Sequence, residues 1–229
     1  MRSRATLLAV LGCLAFTAPA TAIPSRAIFA FSTFRPTTDI QLVLNGGTTV
    51  LNVLDSGWYS ADGDHFSTNK NYIAGLCGAA PDPCDNPVDQ IYHDYFVFDV
   101  GKEPSVTSAV LRLFNPPTGY LSQNPSELYK LFDVGTSISD LMADQAGATG
   151  IFDDLGSGVL FGSQVVTAGD NGNFVEITLD AAAVDALNHS RGNWAIGGAL
   201  DLGEPVPEPT TLVLLASGLL AGGRLRRRR

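Results

Sequence analysis

The chain has 229 residues, which suits one ordinary domain with short additional segments at its ends. Seven of its 14 basic residues lie in the terminal stretches, so residues 23–209 carry the other seven against all 23 acidic residues, a formal charge of −16. This negative charge repels the phosphate backbone of nucleic acids, which argues against a nucleic acid as a partner.

Residues 1–22 have the three parts of a secretory signal peptide. Arg2 and Arg4 precede an apolar run over residues 5–16, and the Ala-Thr-Ala triplet at 20–22 places small residues where signal peptidase requires them. The sequence therefore predicts export and cleavage after Ala22, with signal peptidase as a partner. One alternative remains, because residues 10–13 loosely resemble a lipobox that would make Cys13 a lipidated N-terminus.

Residues 23–203 are predicted to form one acidic β-rich domain. In chain order, apolar and polar residues alternate over residues 39–44, 107–113 and 173–180, which indicates half-buried strands, and residues 92–100 are apolar enough for a central strand. Turn sequences at 45–47 and 170–172 adjoin strand candidates. We expect an all-β fold, an antiparallel two-sheet β-sandwich. Its predicted core includes Leu111, Leu113, Val175, Ile177 and Leu179.

One or two short helices are expected to accompany the strands. Ser137 can cap a helix over residues 137–144, and Asp180 can cap another over residues 180–188. A hydrophobic helix is also predicted at the C-terminus.

Cys77 and Cys84 flank a short loop that contains two prolines. Two cysteines that close a tight loop in an exported protein predict a disulfide bond, with free thiols as the alternative. The spacing does not match that of a structural zinc site.

The best candidate for ligand binding is the predicted loop over residues 55–65. It brings three carboxylates and two aromatic rings close together in the sequence: Asp55, Trp58, Tyr59, Asp62 and Asp64. Carboxylate and backbone oxygens are the ligands of Ca²⁺, and aromatic faces stack on sugar rings. Ca²⁺ is the one cofactor considered, and the alternative is an ordinary turn with one ring buried.

No catalytic residues are predicted. The sequence has neither an HExxH nor a Gly-x-Ser-x-Gly motif. His93 lies on a probable strand, where packing is the simpler role, and His65 lies in the polar loop. The adjacent Asp153 and Asp154 look like turn residues before Gly156. We therefore expect a protein that is not an enzyme.

Residues 204–229 form a tripartite tail. Pro207, Glu208 and Pro209 precede an apolar run over residues 210–223, and five arginines follow. Proline resists helix formation, so the motif stays extended and accessible to a processing enzyme. The arginines stay on the cytoplasmic side of the membrane, as the positive-inside rule predicts. Fourteen residues span about 21 Å as a helix, less than the roughly 30 Å of a hydrocarbon core, which suits a weak and temporary anchor. A permanent C-terminal anchor is the alternative.

This tail resembles the PEP-CTERM sorting signal over residues 206–229. The resemblance implies recognition by an exosortase-type membrane enzyme. It also implies transient anchoring in the inner membrane through the C-terminal helix, followed by delivery to the cell surface or extracellular space.

Two further resemblances concern the central domain. Residues 95–100 and 106–113 are similar to the core strands of DNRLRE-type exported β-sandwich domains, some of which are associated with carbohydrate-binding modules. This resemblance implies that the sandwich is jelly-roll-like. The wider pattern over residues 39–200 resembles an uncharacterised group of PEP-CTERM proteins with no assigned activity.

Three functional hypotheses follow for the exported domain. The first is a non-catalytic surface or matrix protein with a structural or binding role. The second is a carbohydrate-binding module for extracellular polysaccharide, and the third is a secreted hydrolase. A concave aromatic surface would favour the second, and a cleft with converging carboxylates would favour the third.

Overall fold

The computed structural model describes residues 26–30, 36–78, 88–101 and 105–202, excluding the side chains of residues 36 and 37. The predicted signal peptide, the sorting tail with Pro207, Glu208 and Pro209, and Cys84 lie outside the described residues.

The described residues are mostly β-strand. The strands are β1 (Ala27–Phe29), β2 (Ile40–Leu44), β3 (Thr49–Asn52), β4 (Asp55–Ser60), β5 (Ala74–Cys77), β6 (Gln90–Asp99), β7 (Ala109–Asn115), β8 (Leu121–Ser122), β9 (Ser126–Asp133), β10 (Leu160–Thr167), β11 (Asn173–Thr178) and β12 (Asn193–Leu200). The helices are α1 (Pro36–Asp39), α2 (Ile138–Leu141), α3 (Thr149–Leu155) and α4 (Ala181–His189). None of these described helices is long and apolar enough to cross a membrane.

The strands form two antiparallel sheets. The smaller has the order β11-β7-β2-β3. In the larger, β6 pairs with β4 along one edge, and along the other edge it pairs with β5 through its first residues and with β12 through the rest. From there β12 continues to β9 and β10, and β5 continues to β1 and β8, so the large sheet curls into a half-barrel. The all-β, two-sheet prediction is confirmed.

The register of the small sheet explains the core. Alternate residues of β7 point inward, so Leu111 and Leu113 are fully buried, whereas Arg112 lies between them on the outer face. On the neighbouring strand Val175 and Ile177 pair with Leu113 and Leu111 and are also buried. The five predicted core residues are confirmed, since Leu179 is also buried.

Strand β6 is buried on both faces. Phe96 and Phe98 belong to the core between the sheets, whereas Tyr95 and Val97 belong to a second apolar cluster with residues of α2 and α3. This double burial explains why its sequence is almost continuously apolar, as predicted for a central strand.

The helix predictions are partly corrected. Ser137 and Asp180 cap α2 and α4 through Asp140 N and Ala183 N, as predicted. However, the described residues contain four short α-helices, together with two 3-10 helices at Asn45–Gly47 and Ala168–Asp170, where one or two short helices were expected. Asp153 and Asp154 end helix α3 and do not belong to an irregular turn. Asp39 ends α1, so the strand predicted over residues 39–44 begins at Ile40.

Candidate functional site

The predicted ligand loop is largely a strand, because Asp55–Ser60 forms β4 and pairs with β6. Asp55 is 4% exposed, and its Oδ1 lies 2.6 Å from Lys70 Nζ. The same Oδ1 accepts a hydrogen bond of 2.8 Å from Ser56 N. The negative charge of Asp55 is therefore balanced inside the fold by the ammonium group of Lys70.

The other two carboxylates of this segment point to different partners. Gln90 Nε2 donates to Asp62, and Gly147 N donates to Asp64 Oδ1 at 3.3 Å. Among the described residues no group of three or more His, Cys, Asp or Glu side chains can hold a metal ion. The structure thus does not bring these carboxylates together as the calcium hypothesis requires.

The two aromatic rings of the segment also have packing roles. Tyr59 is fully buried and its hydroxyl donates to Leu141 O at 2.9 Å, so its face cannot stack on a sugar. Burial raises the pKa of Tyr59 well above its usual value. Trp58 is half-buried, with its ring centroid 5.2 Å from that of Tyr92 and 6.3 Å from that of the exposed Phe66.

His65 is the centre of this packing and is 1% exposed. Its Nδ1 lies 2.9 Å from Trp58 O, and because a carbonyl only accepts, Nδ1 carries the hydrogen. Burial lowers the pKa of His65, so the ring is neutral and its Nε2 accepts from the Tyr95 hydroxyl at 3.3 Å. Both ring nitrogens of His65 are therefore occupied.

His93 joins β6 to helix α3 in a similar way. Its Nδ1 lies 2.8 Å from Phe152 O, and its ring stacks on that of Phe152 with centroids 3.9 Å apart. Burial lowers the pKa of His93. The packing role predicted for His93 agrees with this geometry.

Gly57 permits the contact between His65 and Tyr95. A Cβ at position 57 would lie 2.8 Å from Tyr95 Oη and 2.9 Å from His65 Cε1, and both rings are buried.

We expect Gly57→Ala to destabilise the domain by about 1–3 kcal/mol through overpacking. The matched control is Gly150→Ala, because a Cβ there meets nothing within 4 Å and alanine favours helix α3. In urea denaturation, the midpoint of Gly57→Ala should lie below that of the wild type, and the midpoint of Gly150→Ala should not. Equal midpoints for Gly57→Ala and the wild type would refute the packing role of Gly57.

A cleft of about 660 Å³ lies beside α2, α4 and the start of β12. Its lining includes Asp133, Ile138, Val159, Asp185, His189 and Trp194. The sequence analysis assigned no site residue here, because these side chains come from four separate elements and loops of the chain. The sequence signal that could have pointed here is the four-residue spacing of Asp185 and His189, which both lie on α4.

Local hydrogen bonds hold the walls of the cleft. Asp154 of α3 accepts from Gly135 N at 3.2 Å and from Thr136 N at 2.8 Å, which fixes the turn leading into α2. Trp194 stacks on Phe161 with ring centroids 6.0 Å apart. Both rings are buried, so this wall is rigid.

Several polar side chains of the cleft are exposed to solvent. His189 Nδ1 lies 2.8 Å from the backbone oxygen of Asp185 and 3.4 Å from its Oδ1, and the Asp185 side chain is 75% exposed. Asn193 is exposed and also lines the cleft. The cleft therefore offers both donors and acceptors to a bound molecule.

Asp94 is a second feature that the sequence analysis missed. It lies on β6, is fully buried, and accepts a hydrogen bond of 2.7 Å from the Tyr129 hydroxyl. Gly198 faces the pair, and a Cβ there would lie 2.0 Å from Tyr129 Oη. Asp94 Oδ2 has no hydrogen-bond partner among the described residues. Burial raises the pKa of Asp94 to about 8.

Cys77 is fully buried at the end of β5, in a small cluster with Ile28, Ile73 and Tyr92. Its predicted partner Cys84 lies outside the described residues. The disulfide bond therefore stays a prediction.

Thiol titration tests the pairing. Cys13 leaves with the signal peptide, so we expect no reactive thiol in the processed protein after unfolding without reductant. Because the closed loop is short, reduction should cost only about 2–3 kcal/mol of stability. Two free thiols per chain would refute the bond, and dimers lost on reduction would show pairing between chains.

Comparison with known proteins identifies the C-terminal segment. Residues 205–229 match the PEP-CTERM protein-sorting motif. No curated protein and no solved structure matches the chain. The predicted sorting signal is thus confirmed, whereas the DNRLRE resemblance of the central domain stays a prediction.

The motif indicates how the chain is sorted. It marks an exported protein with a C-terminal membrane-anchoring sorting signal, sorted and processed by an exosortase-type system.

Proposed function

We propose that the chain is a cell-surface or extracellular-matrix protein whose β-sandwich has a structural or binding role and no catalytic one. The observation that carries this proposal is the sorting motif at residues 205–229. The anchor is transient in this account, because the exosortase-type enzyme removes the tail and the domain then leaves the inner membrane.

The contacts of the candidate groups support a non-catalytic role. Nδ1 of His65 and of His93 lies within hydrogen-bond distance of a backbone carbonyl. Asp55 is paired with Lys70, and Asp154 holds the turn before α2. These groups stabilise the fold.

Binding of extracellular polysaccharide is the second candidate, and the cleft favours it. The cleft combines apolar walls with exposed polar groups, the usual make-up of a small-molecule site. Two carboxylates, those of Asp133 and Asp185, also line it, so the experiment must separate binding from hydrolysis.

Cell fractionation tests the sorting part of the proposal. In a bacterium with an exosortase system, the wild-type protein should reach the surface or the medium. A variant with Pro207→Ala, Glu208→Ala and Pro209→Ala should stay in the inner membrane with its tail attached. Equal release of both proteins would contradict the proposal.

Incubation with host polysaccharide tests the non-catalytic part. The processed protein should sediment with the polymer and release no new reducing ends. Reducing ends that increase in proportion to the protein would show a hydrolase.

A further inference from the structure

We infer that the cleft beside α2, α4 and β12 is a saccharide site that takes neutral or amino sugars and rejects uronic acids. This inference rests on the polysaccharide-binding role proposed above and adds its location and ligand class. Three properties of the cleft carry it, namely its apolar wall, its mixed hydrogen-bonding groups and its charge.

The apolar wall suits the C–H face of a sugar ring. Val159 is 50% exposed, and Ile138 lines the same cleft. Trp194, which is 7% exposed and stacks on Phe161, adds a small aromatic surface. Contact with a ring face would remove exposed apolar surface from water without reordering the wall.

The polar groups match hydroxyls, which donate and accept hydrogen bonds at once. The side-chain amide of Asn193, an exposed residue that lines the cleft, offers both functions. The carboxylate of Asp185 is an acceptor and is 75% exposed. A ligand with several adjacent hydroxyls fits this set better than a purely apolar one.

The charge of the cleft selects among saccharides. Asp133 and Asp185 line it, and no Lys or Arg does so among the described residues. Because a carboxylate on the ligand would face two carboxylates with no Lys or Arg side chain in the described lining to balance them, uronic acids are disfavoured. An ammonium group would instead be attracted.

Calorimetric titration at pH 7 tests the inference with three probes of equal length. These are chitosan hexasaccharide, cellohexaose and hexagalacturonate, each added to the processed protein. We expect binding of the amino and neutral probes, and at least tenfold weaker binding of the uronate. Equal or preferential binding of the uronate would overturn the charge argument.

Variants locate the site. Ala182 is exposed on α4 and lines the cleft, so Ala182→Trp should fill it and weaken both binding probes at least tenfold. Asp185→Asn should reduce the preference for the amino probe over the neutral one several-fold. Trp58→Phe, at the other aromatic surface, should change nothing. Circular dichroism should be unchanged in all three variants.

The outcomes separate the two proposals. If Trp58→Phe abolishes binding and Ala182→Trp does not, the cleft assignment is wrong while polysaccharide binding stands. If neither the probes nor the host polysaccharide bind, both the assignment and the binding role are wrong.

Discussion

Asp94→Asn is expected to remove the loss of stability that the buried Asp94 causes in the wild-type domain as the pH rises from about 4 to about 8. The pKa of Asp94 is raised to about 8 in the folded protein because the side chain is fully buried. Its usual value, which the unfolded chain restores, is 3.8. Between these values the folded state holds one more proton, so its stability falls as the pH rises.

The size of the effect follows from the shift. Each unit of pKa corresponds to about 1.4 kcal/mol, so the stability of the variant relative to wild type should rise by roughly 5 kcal/mol between pH 4 and pH 8. At pH 4 the variant should be as stable as the wild type or slightly less stable, because its amide places two N–H donors where the protonated acid has one O–H donor. Urea denaturation across this range measures the difference.

The control is Asp99→Asn, an exposed position on the same strand β6. It should give a profile parallel to that of the wild type. His65 and His93 contribute with the opposite sign, because burial lowers their pKa values and stability is lost as the pH falls below about 6.5. Their contribution is common to all three proteins and cancels in the comparison. Parallel profiles for Asp94→Asn would contradict the buried-acid account.

Leu111→Asp is expected to prevent folding. Leu111 is fully buried between the sheets, and an unpaired carboxylate there costs several kcal/mol, a large part of the stability of a domain this size. Far-UV circular dichroism at 25 °C should lose its β signal, and no cooperative thermal transition should remain.

Val50→Asp is the matched control, since Val50 is 48% exposed on β3 of the same sheet. A surface substitution of this kind should shift stability by about 0.5 kcal/mol or less. Similar behaviour of the two variants would show that the inward and outward faces have been assigned wrongly.

The period-two pattern predicted three strands of the small sheet, β2, β7 and β11, because each of them has one face in the core and one facing outward. Leu111 and Leu113 alternate with Arg112, and Glu176 alternates with Val175 and Ile177, so composition along the strand reports orientation directly.

The same reasoning failed for β4, which was predicted as a loop. Asp55 and Gly57 look like turn residues, but Asp55 is paired with Lys70 and Gly57 makes room for two buried rings. Both explanations depend on residues distant in the sequence. Asp94 was missed for a related reason, because its partner Tyr129 lies 35 positions away.

The cleft lay beyond sequence reasoning. Asp133, Ile138, Val159 and Trp194 meet only because β9 and β12 are neighbours in the large sheet. Because β9 and β12 are far apart in the sequence, the local alternation of apolar and polar residues cannot show that they pair. The sorting motif is the opposite case, since residues 205–229 carry their meaning in linear order and were recognised without a structure.

The central claim is that the chain is exported, sorted through its tail and released as a processed surface protein. Intact-mass analysis of the mature surface form from a host with an exosortase system tests it most directly. The account predicts a chain that begins at Ile23 and lacks Arg224 and the arginines at 226–229. A mature surface form that retains Arg229 would contradict it.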